Sequence, residues 1–206
     1  MDGMPILHEY AASGNCYKIR LTAALLGVPI ERRGYDILRG ETRTPAFLAE
    51  VNANGRIPVL QIGDRFLPES NAACMWLAHR SALIPADRFD HADMLRWMFF
   101  EQYNHEPNVA TLRFWRAFIG EARLSDAQRG QIAGRRAAGE AALALLDRHL
   151  RGRRWLVGSG VTLADICLYA YTHVADEGGF RLSGHPAIEA WLARVAALPG
   201  YLPITA

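Results

Sequence analysis

The sequence predicts an α/β domain followed by an all-helical domain. Three observations support this fold class. The chain has 206 residues, which exceeds the roughly 150 residues of a typical single domain. Strand-like and helix-like segments alternate over residues 1–82, a pattern that places strands in one sheet with helices packed on it. Beyond residue 82, apolar residues recur only at helical spacing. We therefore expect a first domain at 1–82, a linker at 83–92 and a second domain at 93–206.

The first domain is expected to have the element order βαβαββα. Short apolar runs and turn signals predict its strands, and apolar residues at helical spacing predict its helices. Gly27 is a stop signal for the first helix. The dipeptide Gly63-Asp64 predicts a two-residue hairpin turn between the last two strands. We predict strands at 5–10, 29–37, 58–62 and 65–67, and helices at 15–26, 45–51 and 69–79.

The second domain carries helix signals throughout. Ser125 is placed to cap a long helix that ends at Leu150. Thr162 and Asp165 have the spacing of a capping box, in which each side chain binds the other residue's backbone amide. A further helix is expected after Pro186. Pro107 predicts a bend or break in the helical stretch around it, because proline has no amide hydrogen to donate.

Composition excludes several classes of protein. Half of the residues are hydrophobic and 21% are charged, as in ordinary globular proteins. The net charge of +2 comes from 23 basic and 21 acidic side chains without a basic arm, which argues against nucleic acid or a membrane as partner. We expect no transmembrane helix and no signal peptide. Three scattered cysteines do not form a disulfide framework, so a reducing, cytoplasmic location is expected.

The turn between the first strand and the first helix is the first candidate site. A helix amino terminus presents free amides and a partial positive charge, both of which stabilise an anion. Ser13 and Asn15 are hydrogen-bond donors at this point. Cys16 is a potential thiolate, because a helix amino terminus lowers the pKa of a thiol. Simple capping of the helix by Ser13 or Asn15 is the structural alternative.

Two further candidate sites follow along the chain. Pro58 opens a strand, where an ordinary trans bond is expected from the sequence alone. If the bond were cis, the backbone of Ile57 would face outward and pair with a peptide-like ligand. Glu69 and Ser70 begin the third helix. Their carboxylate and hydroxyl suit an ammonium and a carboxylate of a ligand, and plain capping is again the alternative.

In this order and spacing, these features resemble the cytosolic glutathione transferases, over nearly the whole chain. The βαβαββα order, the run 56–59 (Arg-Ile-Pro-Val) and Glu69-Ser70 resemble the family's thioredoxin-like, glutathione-binding half. The segment 162–166 (Thr-Leu-Ala-Asp-Ile) resembles the capping box of its all-helical half. The stretch 40–48, with the following residues 52–55, resembles bacterial members, and the chain is closest to the theta-like serine type or the nu-like type.

The resemblance implies that glutathione is a co-substrate. Glu69 and Ser70 would hold the γ-glutamyl end, and Ile57 would pair with the cysteinyl backbone ahead of a cis Pro58. Arg43 or Arg56 would supply a cation for the glycine carboxylate. Lys18, the single lysine of the chain, is a third candidate cation. The activated thiol would add to a small electrophile, as in detoxification, and the family implies a homodimer.

Which residue activates the thiol stays open at this point. Ser13 ranks first, because theta-like members have a serine followed three residues later by a cysteine. Asn15 matches the Thr/Asn pair of some bacterial members. Cys16 matches the beta- and omega-like cysteine that forms a mixed disulfide with glutathione, and Tyr10 ranks last. A glutathione-dependent disulfide reductase or peroxidase, or a non-catalytic binding module of the same fold, are therefore alternative functions.

The electrophile is expected between the two domains. Residues 99–116 are rich in aromatic and hydrogen-bonding side chains, as small-molecule pockets are. An aromatic core stripe with a solvated polar face is the structural alternative. His105 and Glu106 have no second pair of metal ligands at useful spacing, so we expect no metal. The candidate contacts for the electrophile are Tyr103, Asn104, Pro107 and Arg113.

Overall fold

A mixed four-stranded sheet lies at the centre of the first part of the chain. The structure is a computed structural model that describes residues 3–206. The strands lie in the order β2-β1-β3-β4, with β1 and β2 parallel and the other neighbours antiparallel. Leu7 of β1 pairs with Leu60 of β3, and both side chains are fully buried. The strands are β1 (Ile6–Glu9), β2 (Glu31–Gly34), β3 (Val59–Ile62) and β4 (Arg65–Pro68).

Three helices accompany this sheet and confirm the predicted order βαβαββα. They are α1 (Gly14–Leu26), α2 (Pro45–Glu50) and α3 (Ser70–Leu77). Gly27 ends α1 in the left-handed region, with φ 65°, where glycine carries no steric cost. Gly63 also has a positive φ, 59°, and the pair Ile62–Arg65 closes the predicted two-residue hairpin turn. The sequence did not predict two short 3₁₀ turns at 37–39 and 41–43.

The second part of the chain is helical, as predicted. Asp87 starts the first of these helices by accepting hydrogen bonds from the amides of Phe89 and Asp90, so the second half of the expected linker 83–92 is helical. Ser125 caps the longest helix through the amide of Gln128. The helices are α4 (Arg88–Phe100), α5 (Glu106–Arg113), α6 (Asp126–Leu150), α7 (Leu163–Thr172) and α8 (Pro186–Ala196).

Pro107 does not break the helical path. A π-helical turn at 101–105 joins α4 to α5, and a second one at 114–119 follows α5. The Glu106 amide donates to the Glu101 carbonyl, five residues back. Pro107 then lies in the first turn of α5, directly after this π-helical turn. The expected break is therefore replaced by a local change of helix type.

Asp165 is a fully buried acidic residue of the helical part. Its Oδ2 accepts hydrogen bonds from the Thr162 amide at 2.9 Å and the Thr162 hydroxyl at 3.1 Å. Its Oδ1 accepts from the Leu156 amide at 3.0 Å and Trp191 Nε1 at 2.9 Å. The predicted capping box is confirmed. Complete burial raises the pKa of the Asp165 carboxyl to about 6, although these four donors oppose that shift.

The chain divides into two compact units. The first contains the chain up to Ile84 together with Leu198–Ala206, and the second contains Pro85–Ala197. The expected second domain extended to residue 206. The structure differs because the Tyr17 hydroxyl and the Arg20 guanidinium bind backbone carbonyls of this last segment. None of the described helices is both long enough and apolar enough to span a membrane.

Candidate functional site

Ser13 stands at the amino terminus of α1 as its N-cap. Its backbone is extended, with φ −72° and ψ 126°, and its Oγ accepts a hydrogen bond from the Cys16 amide at 3.4 Å. The Ser13 amide donates to the Tyr10 carbonyl at 2.9 Å. The side chain is half-buried. A hydroxyl therefore lies at the positive end of a helix dipole, where an anion is stabilised.

Cys16 does not have the lowered pKa that its position predicted. Its side chain is fully buried, and the Tyr10 amide donates to Sγ at 3.4 Å. Burial raises the pKa of the Cys16 thiol to about 12, because the cost of removing the thiolate from water outweighs the hydrogen bonds with Ser13 and Tyr10, which lower the pKa. Cys16 is therefore a protonated core residue at neutral pH.

A hydrogen-bond network joins the amino termini of α1 and α3. The Ser70 hydroxyl donates to Asn15 Oδ1 at 3.1 Å. The Lys18 ammonium, which is fully buried, donates to Ser70 Oγ at 3.4 Å and to Asn71 Oδ1 at 3.2 Å. Two of the three candidate sites that the sequence separated by more than fifty residues are thus one cluster.

Glu69 precedes Ser70 in an unusual backbone conformation. Its φ is 73°, a left-handed value that L-residues other than Asn and Asp rarely adopt and that tends to occur at functional sites. The side chain is exposed. Within residues 3–206 its carboxylate has no hydrogen-bond or ion-pair partner, so it is available to a cationic group. No signal in the sequence indicated this conformation.

The Ile57–Pro58 bond is cis. The trans bond expected from the residues alone is therefore wrong, and the cis bond implied by the family resemblance is present. Pro58 is buried directly before β3, whereas Ile57 is half-buried. Neither the amide nor the carbonyl of Ile57 bonds to another described residue. This backbone is thus free to pair with an extended ligand.

The two candidate arginines differ in their surroundings. Arg43 Nη1 donates to the Asn54 carbonyl at 3.0 Å. It also covers Gly55, where an added Cβ would lie 2.6 Å from Nη1. Arg56 is exposed, and its guanidinium has no partner in the part of the chain that the structure describes. Arg56 is therefore the cation that can accept a new anion without losing a bond.

The four candidate residues for the electrophile do not share one environment. Tyr103 is 86% exposed, and Asn104 beside it is also exposed. Pro107 is half-buried. Arg113 is buried and forms an ion pair with Glu177 at 2.8 Å, so it differs from the exposed Tyr103 and Asn104. His, Cys, Asp and Glu side chains form no group of three that could hold a metal ion within residues 3–206.

Comparison with known proteins gives consistent matches. The family model "Glutathione S-transferase, N-terminal domain" matches residues 7–85, and "Glutathione S-transferase, C-terminal domain" matches residues 118–199. The glutathione S-transferase-like protein LUC7 of Fusarium sp is 31% identical over 198 residues, covering 91% of this chain and 86% of that protein.

One solved structure and one longer protein complete the comparison. The crystal structure of a glutathione S-transferase from Pseudomonas fluorescens is 43% identical, with a TM-score of 0.93 over 99% of this chain and 100% of that one. Elongation factor 1-gamma of Prunus avium is 32% identical over 166 residues, which are 78% of this chain and 37% of that protein.

Proposed function

The chain belongs to the glutathione S-transferase family, and we propose that it adds the thiol of glutathione to small electrophiles. The observation that carries the proposal is the contact between Ser70 and Asn15, 3.1 Å long. This contact brings the predicted γ-glutamyl site at α3 next to the predicted thiol site at α1. The two sites are then close enough to be served by one tripeptide.

The γ-glutamyl end of glutathione carries an ammonium and a carboxylate on one carbon atom. Glu69 presents a free, exposed carboxylate for the ammonium. The adjacent Ser70 offers its amide, the first of α3, to the carboxylate, and its hydroxyl can donate to the carboxylate when it turns away from Asn15 Oδ1. Charge-assisted hydrogen bonds of this kind are about twice as strong as neutral ones. An acceptor on Glu69 and donors on Ser70 therefore match the adjacent ammonium and carboxylate of the ligand.

The rest of the tripeptide has partners on the neighbouring loop. The cysteinyl backbone pairs with the free amide and carbonyl of Ile57, in the manner of strand addition. The exposed guanidinium of Arg56 binds the glycine carboxylate. Arg43 does not contact the ligand in this proposal. Its hydrogen bond to the Asn54 carbonyl holds the loop that carries Arg56.

Ser13 is the residue that we assign to thiol activation. A free thiol has a pKa near 8.5, so only a few per cent is ionised at neutral pH. A hydroxyl donor and the α1 dipole together lower that pKa by about one to two units, since each unit corresponds to about 1.4 kcal/mol. The thiol proton passes to solvent. The thiolate then forms a carbon–sulfur bond, and the leaving group departs with its electron pair.

Transfer is favoured over disulfide reduction by the burial of Cys16. A mixed disulfide with glutathione needs an accessible thiolate, and this thiol is fully buried with a pKa raised to about 12. The three free thiols, Cys16, Cys74 and Cys167, are all buried, which fits the reducing setting of the cytoplasm.

A non-catalytic binding module is the second candidate, because elongation factor 1-gamma shares this type of domain. Calorimetry with glutathione, followed by assay with 1-chloro-2,4-dinitrobenzene and hydroxyethyl disulfide, distinguishes the candidates. We expect binding and conjugation, with little disulfide reduction. Disulfide reduction without conjugation would favour the reductase, and absence of binding would favour the module.

We place the electrophile against Tyr103 and Asn104, which are exposed side by side on the π-helical turn 101–105. An exposed aromatic ring offers apolar contact area with a polar hydroxyl. The variant Tyr103→Ala is expected to raise KM for the electrophile without changing KM for glutathione. An unchanged electrophile KM, compared across three substrates, would contradict the assignment.

A second copy of the chain is the partner that we propose for two exposed aromatic surfaces. Phe66 and Trp76 line a cavity of about 240 Å³ at β4 and α3, and Phe89 and Phe99 are exposed on α4. Exposed apolar patches of this kind mark interaction surfaces. Light scattering of wild type is expected to give a dimer, and Trp76→Glu or Phe99→Glu a monomer. Leu38→Glu, at another exposed apolar residue, is the control that should stay dimeric.

A further inference from the structure

Arg20 is a buried cation in α1 that the proposed chemistry does not use. It is 2% exposed, and a buried charge persists only when partners surround it. Its Nε lies 3.2 Å from a Glu9 carboxylate oxygen. Its Nη2 donates to the Ala11 carbonyl at 2.6 Å and the Ile204 carbonyl at 3.0 Å, and its Nη1 donates to the Ala206 carbonyl at 2.7 Å.

The segment 200–206 follows the face of α1 that carries Arg20. Gly200 packs against the far end of the helix, where an added Cβ would lie 3.0 Å from the Ala24 carbonyl oxygen. The Tyr17 hydroxyl donates to the Leu202 carbonyl at 2.6 Å. Tyr17, Arg20 and Ala24 are three and four residues apart, so they share one side of the helix. The segment is thus held along the helix, with its last carbonyls at Arg20.

The Ala11 carbonyl connects this arrangement to the thiol site. Ala11 lies in the turn that leads to Ser13, and the Ser13 amide closes that turn by donating to the Tyr10 carbonyl at 2.9 Å. One guanidinium therefore holds the turn before the helix and the segment 200–206 at the same time. Arginine suits this role because its five donors lie in a rigid, planar fork.

We propose that Arg20 is a positioning residue through which the segment 200–206 sets the place of the Ser13 hydroxyl. The inference rests on the proposed function, because its consequence is the ionisation of bound glutathione. A donor must stay within about 0.5 Å of its productive place, and an error of about 1 Å costs up to a hundredfold in rate. Loosening the segment therefore raises the pKa of the bound thiol and lowers kcat. Glutathione affinity changes little, because the proposed γ-glutamyl and cysteinyl contacts come from Glu69, Ser70 and Ile57 and not from the Ser13 hydroxyl.

The test uses variants of the segment's contacts instead of Arg20 itself. Removing the guanidinium would take away one of the two cations, Arg20 and Arg32, that pair with the buried Glu9 carboxylate, and this loss would destabilise the fold itself. Tyr17→Phe removes the hydroxyl that donates to the Leu202 carbonyl and keeps the ring. Gly200→Ala forces the segment away from the Ala24 carbonyl. Gly27→Ala is the matched control, because Gly27 has a similar positive φ at the end of the same helix but no neighbour among residues 3–206 within 4 Å of an added Cβ.

Three measurements are compared across these proteins. They are the pH dependence of kcat/KM for the electrophile at saturating glutathione, the KM for glutathione and the midpoint of thermal unfolding. We expect Tyr17→Phe and Gly200→Ala to move the thiol pKa upward by about half a unit, which is about threefold in thiolate at low pH. KM should stay within about twofold. Hydrogen exchange of the peptide containing Ser13 should become faster in both variants and stay unchanged in Gly27→Ala.

The outcomes separate this inference from the proposed function. A wild-type protein that fails to bind glutathione contradicts the proposed function. A wild-type protein with a lowered thiol pKa, and variants that lose thermal stability while keeping that pKa and the exchange rate at Ser13, overturn the inference alone. In that case the segment 200–206 stabilises α1 without affecting the Ser13 hydroxyl.

Discussion

The Lys18 ammonium lies 3.4 Å from the hydroxyl oxygen of Ser70, and both groups are buried in the fold. Ser70 in turn donates to Asn15 Oδ1. A buried ammonium next to the hydroxyl assigned to the γ-glutamyl carboxylate adds positive potential where the ligand brings negative charge. Electrostatic effects of this kind are strong where water is excluded. We therefore assign Lys18 to the site through Ser70 rather than by direct contact.

Replacement of Lys18 by methionine is expected to weaken glutathione binding about tenfold. A tenfold change is about 1.4 kcal/mol, which is typical of a hydrogen bond to a charged group. Methionine has a similar length without the charge, so α1 keeps its packing against α3. Calorimetric titration of both proteins with glutathione measures the loss, and thermal unfolding checks the fold.

Two glutathione analogues identify the origin of that loss. The tenfold difference between wild type and Lys18→Met should disappear for an analogue without the γ-glutamyl α-carboxylate. It should remain for an analogue without the glycine carboxylate. The same loss with both analogues would show that Lys18 only supports the fold. Unchanged affinity in Lys18→Arg would show that this position needs a cation and not specifically a lysine.

Cys16 is expected to be inert in the native protein. With a pKa raised to about 12 by burial, on the order of one thiol in 100,000 is ionised at pH 7. Iodoacetamide should therefore modify Cys16 only after unfolding. Cys16→Ala should conjugate at a rate within about twofold of wild type, while losing about 1–2 kcal/mol of stability through the small cavity. Rapid native labelling, or loss of activity in Cys16→Ala, would restore the mixed-disulfide mechanism.

His8 is expected to make the protein less stable as the pH falls. Its Nδ1 meets the Tyr35 hydroxyl at 2.8 Å and its Nε2 meets Gln61 Oε1 at 2.9 Å, and burial lowers the pKa of this imidazole below 6.5. The unfolded chain then binds a proton near pH 6.5 that the folded chain does not bind. The free energy of unfolding should decrease as the pH is lowered through 6.5, down to the folded-state pKa.

Denaturant titrations at pH 7.5 and 5.5 measure this slope in wild type and in His8→Gln. The variant should show a smaller decrease on acidification. Part of the decrease should remain, because burial also lowers the pKa of His149 and of His173, whereas the raised pKa of Asp165 contributes with the opposite sign. An identical decrease in both proteins would show that His8 does not contribute.

Asp165→Asn is expected to cost about 3 kcal/mol of stability. All four hydrogen bonds of Asp165 are accepted from donors, so an amide group would turn an NH₂ toward one pair of them. A buried network with a mismatched polar group loses stability on this scale. Asp126→Asn is the control, because its side chain is fully exposed and surface pairs contribute about 0–1 kcal/mol. Equal losses in a urea titration would contradict this account.

The fold was predictable because its signals are local. Gly27 ends α1, Gly63-Asp64 turns the hairpin, and Thr162 with Asp165 starts α7, as the spacing of these residues predicts. Each signal depends on a backbone conformation or a cap within a few residues. The packing of residues 198–206 on α1 carried no such signal, because it depends on carbonyl groups that any sequence would present.

The residue types of the candidate site were predictable from the sequence. Their burial, pKa and backbone conformation were less predictable. Cys16 has the sequence position of a reactive thiol, yet burial decides its pKa, and burial depends on the tertiary structure. The positive φ of Glu69 is likewise set by the surrounding fold. Sequence spacing placed Arg113 with Tyr103, whereas the ion pair with Glu177 separates their environments.

The central claim is that the Ser13 hydroxyl stabilises the thiolate of bound glutathione, and the pKa of that bound thiol tests it directly. Ultraviolet absorbance of the thiolate, measured over pH in the presence of saturating glutathione, gives this pKa for wild type, Ser13→Ala and Asn15→Ala. We predict a pKa about one to two units below 8.5 in wild type and a rise toward 8.5 in Ser13→Ala, in which only the part due to the α1 dipole remains. A thiol pKa in Ser13→Ala equal to that of wild type would contradict the assignment, and a rise in Asn15→Ala alone would transfer the role to Asn15.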